Sequence, residues 1–174
     1  MIDFLDIEYL KHGNIRQKEA FQTLESKKIL QKLMEFSPIL TGTIPIGIDI
    51  PESDLDIICY SKEKKKFADR VKKFFSEEKN FLIKEELINN RETVIASFNI
   101  DSFEIELFGQ DVPTNLQHAY LHMCVEYRIL QEKKQDFRER IIDLKLQGYK
   151  TEPAFAKLLG LGGDPYLSIL NYYS

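Results

Sequence analysis

The sequence lacks what would place it in a membrane, in an oxidising compartment or along a nucleic acid. No apolar run approaches the roughly 18–20 residues that a transmembrane helix needs, and 30% of the 174 residues are charged. The start, Met1-Ile-Asp-Phe-Leu-Asp-Ile-Glu, is acidic and has no positive region followed by an apolar stretch. It is therefore not expected to be a secretory signal. There are two cysteines, Cys59 and Cys124, both inside apolar stretches and without CxxC spacing. That excludes a disulfide framework or a zinc motif and fits buried, reduced thiols in a cytoplasmic protein. Basic residues are in deficit, 24 Lys and Arg against 28 Asp and Glu, for a formal charge of −4. A protein that binds nucleic acid over its whole surface is normally basic. Internal repeats, low-complexity linkers and an HExxH motif are also missing.

What is present suffices for one domain, 1–174, with 43% hydrophobic residues. Residues 1–36 read as helical. Leu5, Tyr9 and Leu10 suit a short first helix that Gly13-Asn14 breaks. Ile15 to Phe36 carries apolar residues at helical spacing, and Ser37-Pro38 ends it. Pro38 to Gly42 reads as a short strand and turn, and 43–53, with Pro45, Gly47 and Pro51, as a loop or weak strand pair. Leu55 to Tyr60 is a strand of β-branched character, and Lys62 to Lys79 a helix. Phe81–Ile88, Thr93–Ile100 and Phe103–Phe108 are expected as antiparallel strands joined at Asn89-Asn90 and Asp101-Ser102. Helices are expected over 113–133, 135–148, 153–160 and 164–172, punctuated by glycines. The fold class is α+β: N-terminal helices (1–36), a core with a small mixed sheet (37–110) and a helical C-terminal part (111–174).

The segment Gly42-Thr-Ile-Pro-Ile-Gly-Ile-Asp-Ile-Pro-Glu-Ser-Asp-Leu-Asp56 carries the chemistry. Gly42 lets backbone approach a ligand closely, and Thr43 offers a hydroxyl and amides that suit a phosphate. Strand alternation sends Asp54 and Asp56 to one face and Leu55 and Ile57 to the core. Adjacent carboxylates raise each other's pKa. A hard divalent cation removes that cost, and Mg²⁺ favours one or two carboxylates plus phosphate oxygens. An isolated Asp-x-Asp at a strand start is more often a solvated turn. The glycine–hydroxyl turn and a later acidic strand, Phe103-Glu104-Ile105-Glu106-Leu107, change that weighting. Glu104 and Glu106 share one face, and either would complete a two-metal clamp for phosphoryl or nucleotidyl transfer. Glu106 is the expected third carboxylate, because it lies nearer the strand end.

Gly42-Thr43, Gly47 and Ser53-Asp54-Leu55-Asp56 resemble the signature of the DNA polymerase β-like nucleotidyltransferase superfamily. The resemblance implies that Gly42 and Thr43, with Ser53 beside the carboxylates, hold a nucleoside triphosphate. It also implies that Asp54 and Asp56 bind Mg²⁺ or Mn²⁺, and that Glu106 or Glu104 completes the metal set. Nearly the whole chain also resembles a bacterial family of about this length, through GTIPIGIDIPESDLDIIC, FEIELFGQ, HAYLHMCVEYRIL and KTEPAFAKLLGL. Thr43 stands where serine is commoner, and Ile46 stands where many superfamily members carry a loop arginine. The cation for the triphosphate must then come from elsewhere.

Lys145 and Lys150 are candidates for that cation. They flank Gly148, and Thr151 is a plausible cap of the helix that Pro153 opens, where anions are favoured. An ordinary helix joint is the bland reading. His118, His122 and Glu126 recur at helical spacing and could face a metal; flanking a core stripe is the commoner role. The Lys62–Lys79 helix has eight basic residues against four acidic ones. It is either a solvated face or a footprint for RNA. The expected activity is Mg²⁺-dependent transfer of a nucleoside monophosphate from a triphosphate to an acceptor: a small molecule, a protein hydroxyl or an RNA end. The alternatives are a non-catalytic nucleotide-binding or regulatory module of the same fold, and a metal-dependent phosphohydrolase.

Overall fold

A computed structural model describes residues 2–174. After a 3₁₀ turn at Glu8–His12, helix α1 (Ile15–Ser26) begins with a reciprocal cap. Asn14 Oδ1 accepts from the Gln17 amide at 2.8 Å, and Gln17 Oε1 accepts from the Asn14 amide at 2.9 Å. The long helix expected over Ile15–Phe36 is not continuous. Lys28 adopts a left-handed backbone, φ 55°. The chain restarts as α2 (Ile29–Lys32) and a 3₁₀ turn, Met34–Phe36. This bend buries Ile29, Leu33 and Phe36 and leaves Met34 exposed.

Strand β1 (Ile39–Thr41) is followed by α3 (Thr43–Ile46), a single helical turn where a loop or strand pair was expected. Then come β2 (Leu55–Tyr60), α4 (Lys64–Phe75), β3 (Lys79–Ile88), β4 (Arg91–Ile100) and β5 (Phe103–Gln110). Helix α4 is shorter than its charge run, because Lys79 already belongs to β3. The β3–β4 turn is Asn89-Asn90, both at positive φ, as a tight two-residue hairpin requires.

The sheet order is β1-β2-β5-β4-β3. β2 and β5 are parallel and the other neighbours antiparallel. One sheet face carries Leu55, Ile57, Phe98, Phe103, Ile105 and Leu107, packed against α1, α2 and α4 in the larger core. Full burial of each such side chain contributes about 1.5–3 kcal/mol. The opposite face carries Thr41, Asp56, Ile58, Glu106 and Phe108, all of which line a cleft.

A 3₁₀ turn (Thr114–Leu116) leads to α5 (His118–Glu132), α6 (Gln135–Leu146), α7 (Thr151–Leu159) and α8 (Pro165–Leu170). Thr151 is the first residue of α7, and its cap is Lys150. These helices enclose a second core of Met123, Ile129, Phe137, Ile141, Phe155 and Ile169, which also takes in Ile46 and Ile48. Among the described residues, no helix is long and apolar enough to cross a membrane.

Candidate active site

Between that sheet face and helices α5 and α7 lies the cleft, of about 520 Å³. Its strand wall follows from register. β2 and β5 are parallel, and Asp56 is paired directly with Glu106, while Thr41 stands on the other side of Asp56. Glu104 is exposed and opposite Asn99. Asp54 precedes β2, close enough to act electrostatically on both Asp56 and Glu106.

Gly42 closes this wall. Its φ is +85°, and a methyl group there would overlap Asp56 Oδ2. Glycine is thus required twice, for the backbone angle and for the approach of the carboxylate. Thr43 Oγ1 lies 3.1 Å from Ser53 Oγ, which accepts from the Ile50 amide at 3.0 Å. The two hydroxyls pin the start of the loop to its end.

Side chains from two helices hold the loop from behind. Gln17 Nε2 donates to the carbonyls of Ile44 (2.9 Å) and Pro45 (3.1 Å). Arg138 Nη1 donates to those of Ile46 and Gly47 (2.9 Å to Gly47), and Lys145 Nζ to that of Ile48 (2.8 Å). Five consecutive carbonyls are thereby satisfied, in a loop that has no ladder to satisfy them. Arg138 is thus committed to loop carbonyls and does not line the cleft, so it does not replace the arginine that the loop lacks. Lys145 is buried, and burial pushes its pKa down to about 8 against the opposing pull of Asp49, Glu126, Asp54 and Asp56. Lys150 is exposed and does not line the cleft.

The carboxylates crowd one another. Burial, then Asp54 and Glu106, pushes Asp56 up to about 8. Burial, then Asp54, raises Glu106 as well. Among the described residues, no three His, Cys, Asp or Glu side chains are gathered into a ready-made ion site. The donor set nonetheless suits a hard divalent cation. It consists of oxygen only, it is short of positive charge, and it is cradled where a Cβ on Gly42 would intrude.

The helical wall holds His122, Glu126 and Glu152. His122 Nε2 lies 3.0 Å from the Tyr166 carbonyl, so Nε2 carries the hydrogen, and Nδ1 lies 3.4 Å from Glu152 Oε1. Glu126 is buried and its Oε1 has no partner; burial, then Glu152, holds its pKa well above the ordinary range. Gln117 and Arg91 complete the lining that matters. Helical spacing pointed to His122 and Glu126. The cap pattern Asn14-x-x-Gln17 foretold a helix start but not the loop contact. Glu152, Gln117, Arg91 and Arg138 carried no signal, because tertiary packing brings them in.

A family model described as Domain of unknown function (DUF4269) matches residues 22–172. No curated protein matches the chain. Solved structures share its fold. Poly(U) polymerase Cid1 bound to MgGTP superposes with TM-score 0.55 at 12% identity, over 80% of this chain and 46% of that one. Cid1 with the UTP analogue UMPNPP gives 0.52 at 12%, over 80% and 44%. The GLD-2/RNP-8 complex gives 0.53 at 10%, over 90% and 58%. The chain spans about half the length of these structures. The shared architecture is a nucleotidyltransferase-type fold.

Proposed function

We propose, for this chain, which belongs to the DUF4269 family, a divalent-metal-dependent nucleotidyltransferase activity. The observation that carries the reading is the side-by-side pairing of Asp56 and Glu106 beneath Gly42, at the floor of a cleft. Similarity to structures that hold MgGTP and a UTP analogue supports it at the level of the fold.

In this reading Gly42, Thr43 and Ser53 shape the turn that receives the phosphates. Asp54, Asp56 and Glu106 would hold Mg²⁺ or Mn²⁺, which would supply the positive charge that a triphosphate needs. An acceptor oxygen or nitrogen bonds to the α-phosphorus, and the bond from that phosphorus to the bridging oxygen breaks. Pyrophosphate leaves, and the acceptor's proton passes to Glu106. Glu104, two residues earlier on β5, is exposed and outside the cleft lining, so it takes no part in this step. Lys145 adds positive potential from beneath the loop, and Lys150 adds a screened contribution from solvent.

One observation favours the non-catalytic alternative: Arg91 is the sole Arg or Lys lining the cleft among the described residues. Product analysis separates the readings. The full chain is incubated with each of the four nucleoside triphosphates and Mg²⁺ or Mn²⁺. Pyrophosphate release that Glu106→Gln abolishes supports transfer. Nucleoside diphosphate and orthophosphate indicate a phosphohydrolase, and binding without turnover indicates a regulatory module.

A further inference from the structure

Two buried acceptor oxygens on the inner wall of the cleft have no donor within the protein: Glu126 Oε1 and Gln117 Oε1. The Gln117 amide cannot simply turn over. Its Nε2 donates to the carbonyls of Cys59 (3.0 Å) and Val112 (2.9 Å), so the oxygen is fixed as the unpaired end. A buried acceptor without a donor is costly, and native proteins rarely tolerate one without a reason. Both line the cleft, nine residues and about 13 Å apart along α5, and each calls for a ligand group that donates a hydrogen bond.

The charge around them narrows the ligand's chemistry. Among the described residues the cleft is lined by four acidic side chains, Asp56, Glu106, Glu126 and Glu152, and by one Arg or Lys, Arg91; a cation seated among them offsets their mutual repulsion. If Asp56 and Glu106 face metal, Glu126 and Glu152 remain on the helical wall. Their neighbours are His122, which faces Glu152, and Lys145, which is committed to the Ile48 carbonyl. A polyanion is poorly served by such a wall. An RNA acceptor needs cations along its backbone, and the basic helix α4 is not there to supply them. Phe67, Val71 and Phe75 of α4 pack on the opposite face of the sheet. Three of its lysines also have acidic partners: Lys64 with Glu85 and Glu92, Lys65 with Asp69, and Lys66 with Glu35. A cleft of about 520 Å³ is of small-molecule size.

We propose that Gln117, Glu126 and Glu152 form the acceptor subsite, and that the acceptor is a small molecule bearing one or more protonated amines. The acceptor role rests on the transfer reading above. The ammonium groups anchor the molecule on the helical wall. A separate hydroxyl or unprotonated amine of the same molecule reaches across to the α-phosphorus.

Calorimetry on the full chain without nucleotide tests this, with spermidine and glucosamine as cationic probes. Glucose is the neutral control and deca-uridylate the polyanionic one. The expected result is binding of at least one amine, no binding of glucose, and a loss of about tenfold or more in Glu126→Gln and in Glu152→Gln. Both variants are near-isosteric. Glu152 is partly exposed, so that variant keeps the fold even if the buried one does not. Asp54→Asn/Asp56→Asn should retain amine binding. Amines binding no tighter than glucose, or equally well to both glutamine variants, would overturn the proposal, as would deca-uridylate as the sole ligand. Amine binding without any Mg²⁺–triphosphate binding would overturn the transfer reading and leave the amine subsite standing.

Discussion

The two walls of the cleft are built by different physics. The strand wall is set by backbone hydrogen bonding: the register of the parallel β2–β5 pair makes Asp56 and Glu106 neighbours. The helical wall is set by packing. His122 and Glu126 share a face of α5 by helical spacing, but only packing brings Glu152 of α7 to them. The first wall buries carboxyls beside one another, and burial, then repulsion, raises the pKa of Asp56 and Glu106. The second buries a single carboxyl without a partner. A ladder can hold mutually repelling groups in place cheaply, whereas a packed helix face holds them only while its core stays intact.

The largest expected effect is on the strand wall. Glu106→Gln should lower metal-dependent release of pyrophosphate by about 10²–10⁴-fold while nucleotide affinity changes little. Glu104→Gln should change the rate far less. Equal losses in both variants, read by single-turnover kinetics, would remove the distinction that register makes.

Gly42→Ala comes next. It sets a methyl group against Asp56 Oδ2 at a backbone angle that L-residues avoid. The cost should be about 1–3 kcal/mol of stability, read by chemical denaturation.

Asp56 gives a pH test of the same wall. An unfolded aspartate releases its proton near pH 4, whereas in the folded chain Asp56 keeps it up to about 8. Between those values the folded state binds the extra proton, so stability falls as pH rises. Asp56→Asn should therefore melt above the wild type at pH 8, with the gap closing toward pH 4. Parallel melting curves across that range would show that Asp56 is not burdened as described.

The smallest effect is expected outside both walls. Lys150→Ala should weaken triphosphate binding by less than about threefold, and monophosphate binding less still, because exposed charges are screened by salt. A large loss would mean that the α6–α7 joint closes over the ligand.

This contrast also explains what the sequence made legible. The hairpin at Asn89-Asn90 and the faces on which Asp56 and Glu106 lie follow from turn chemistry and alternation, which are local; the parallel pairing that sets them side by side joins distant strands and carried no local signal. Lys28 breaks a helical pattern that periodicity alone continued, because burying Ile29, Leu33 and Phe36 requires a bend. The single turn at Thr43–Ile46 was hidden by Pro45 within it and by the flanking Gly42 and Gly47. It persists because Gln17, Arg138 and Lys145 take up its carbonyls from elements far away in sequence. Lys145 and Lys150 looked equivalent beside Gly148, yet one is buried under the loop and the other faces solvent. No spacing rule separates them, because the difference arises from how α6 lies against the loop.

Calorimetric titration of non-hydrolysable analogues of the four nucleoside triphosphates tests the central claim most directly. Wild type is measured with Mg²⁺ and with chelator, and Asp54→Asn/Asp56→Asn with Mg²⁺. The account predicts that at least one analogue binds wild type with Mg²⁺, and that chelator or the double substitution abolishes binding. Equal affinity under all three conditions, or no binding of any analogue, would contradict it.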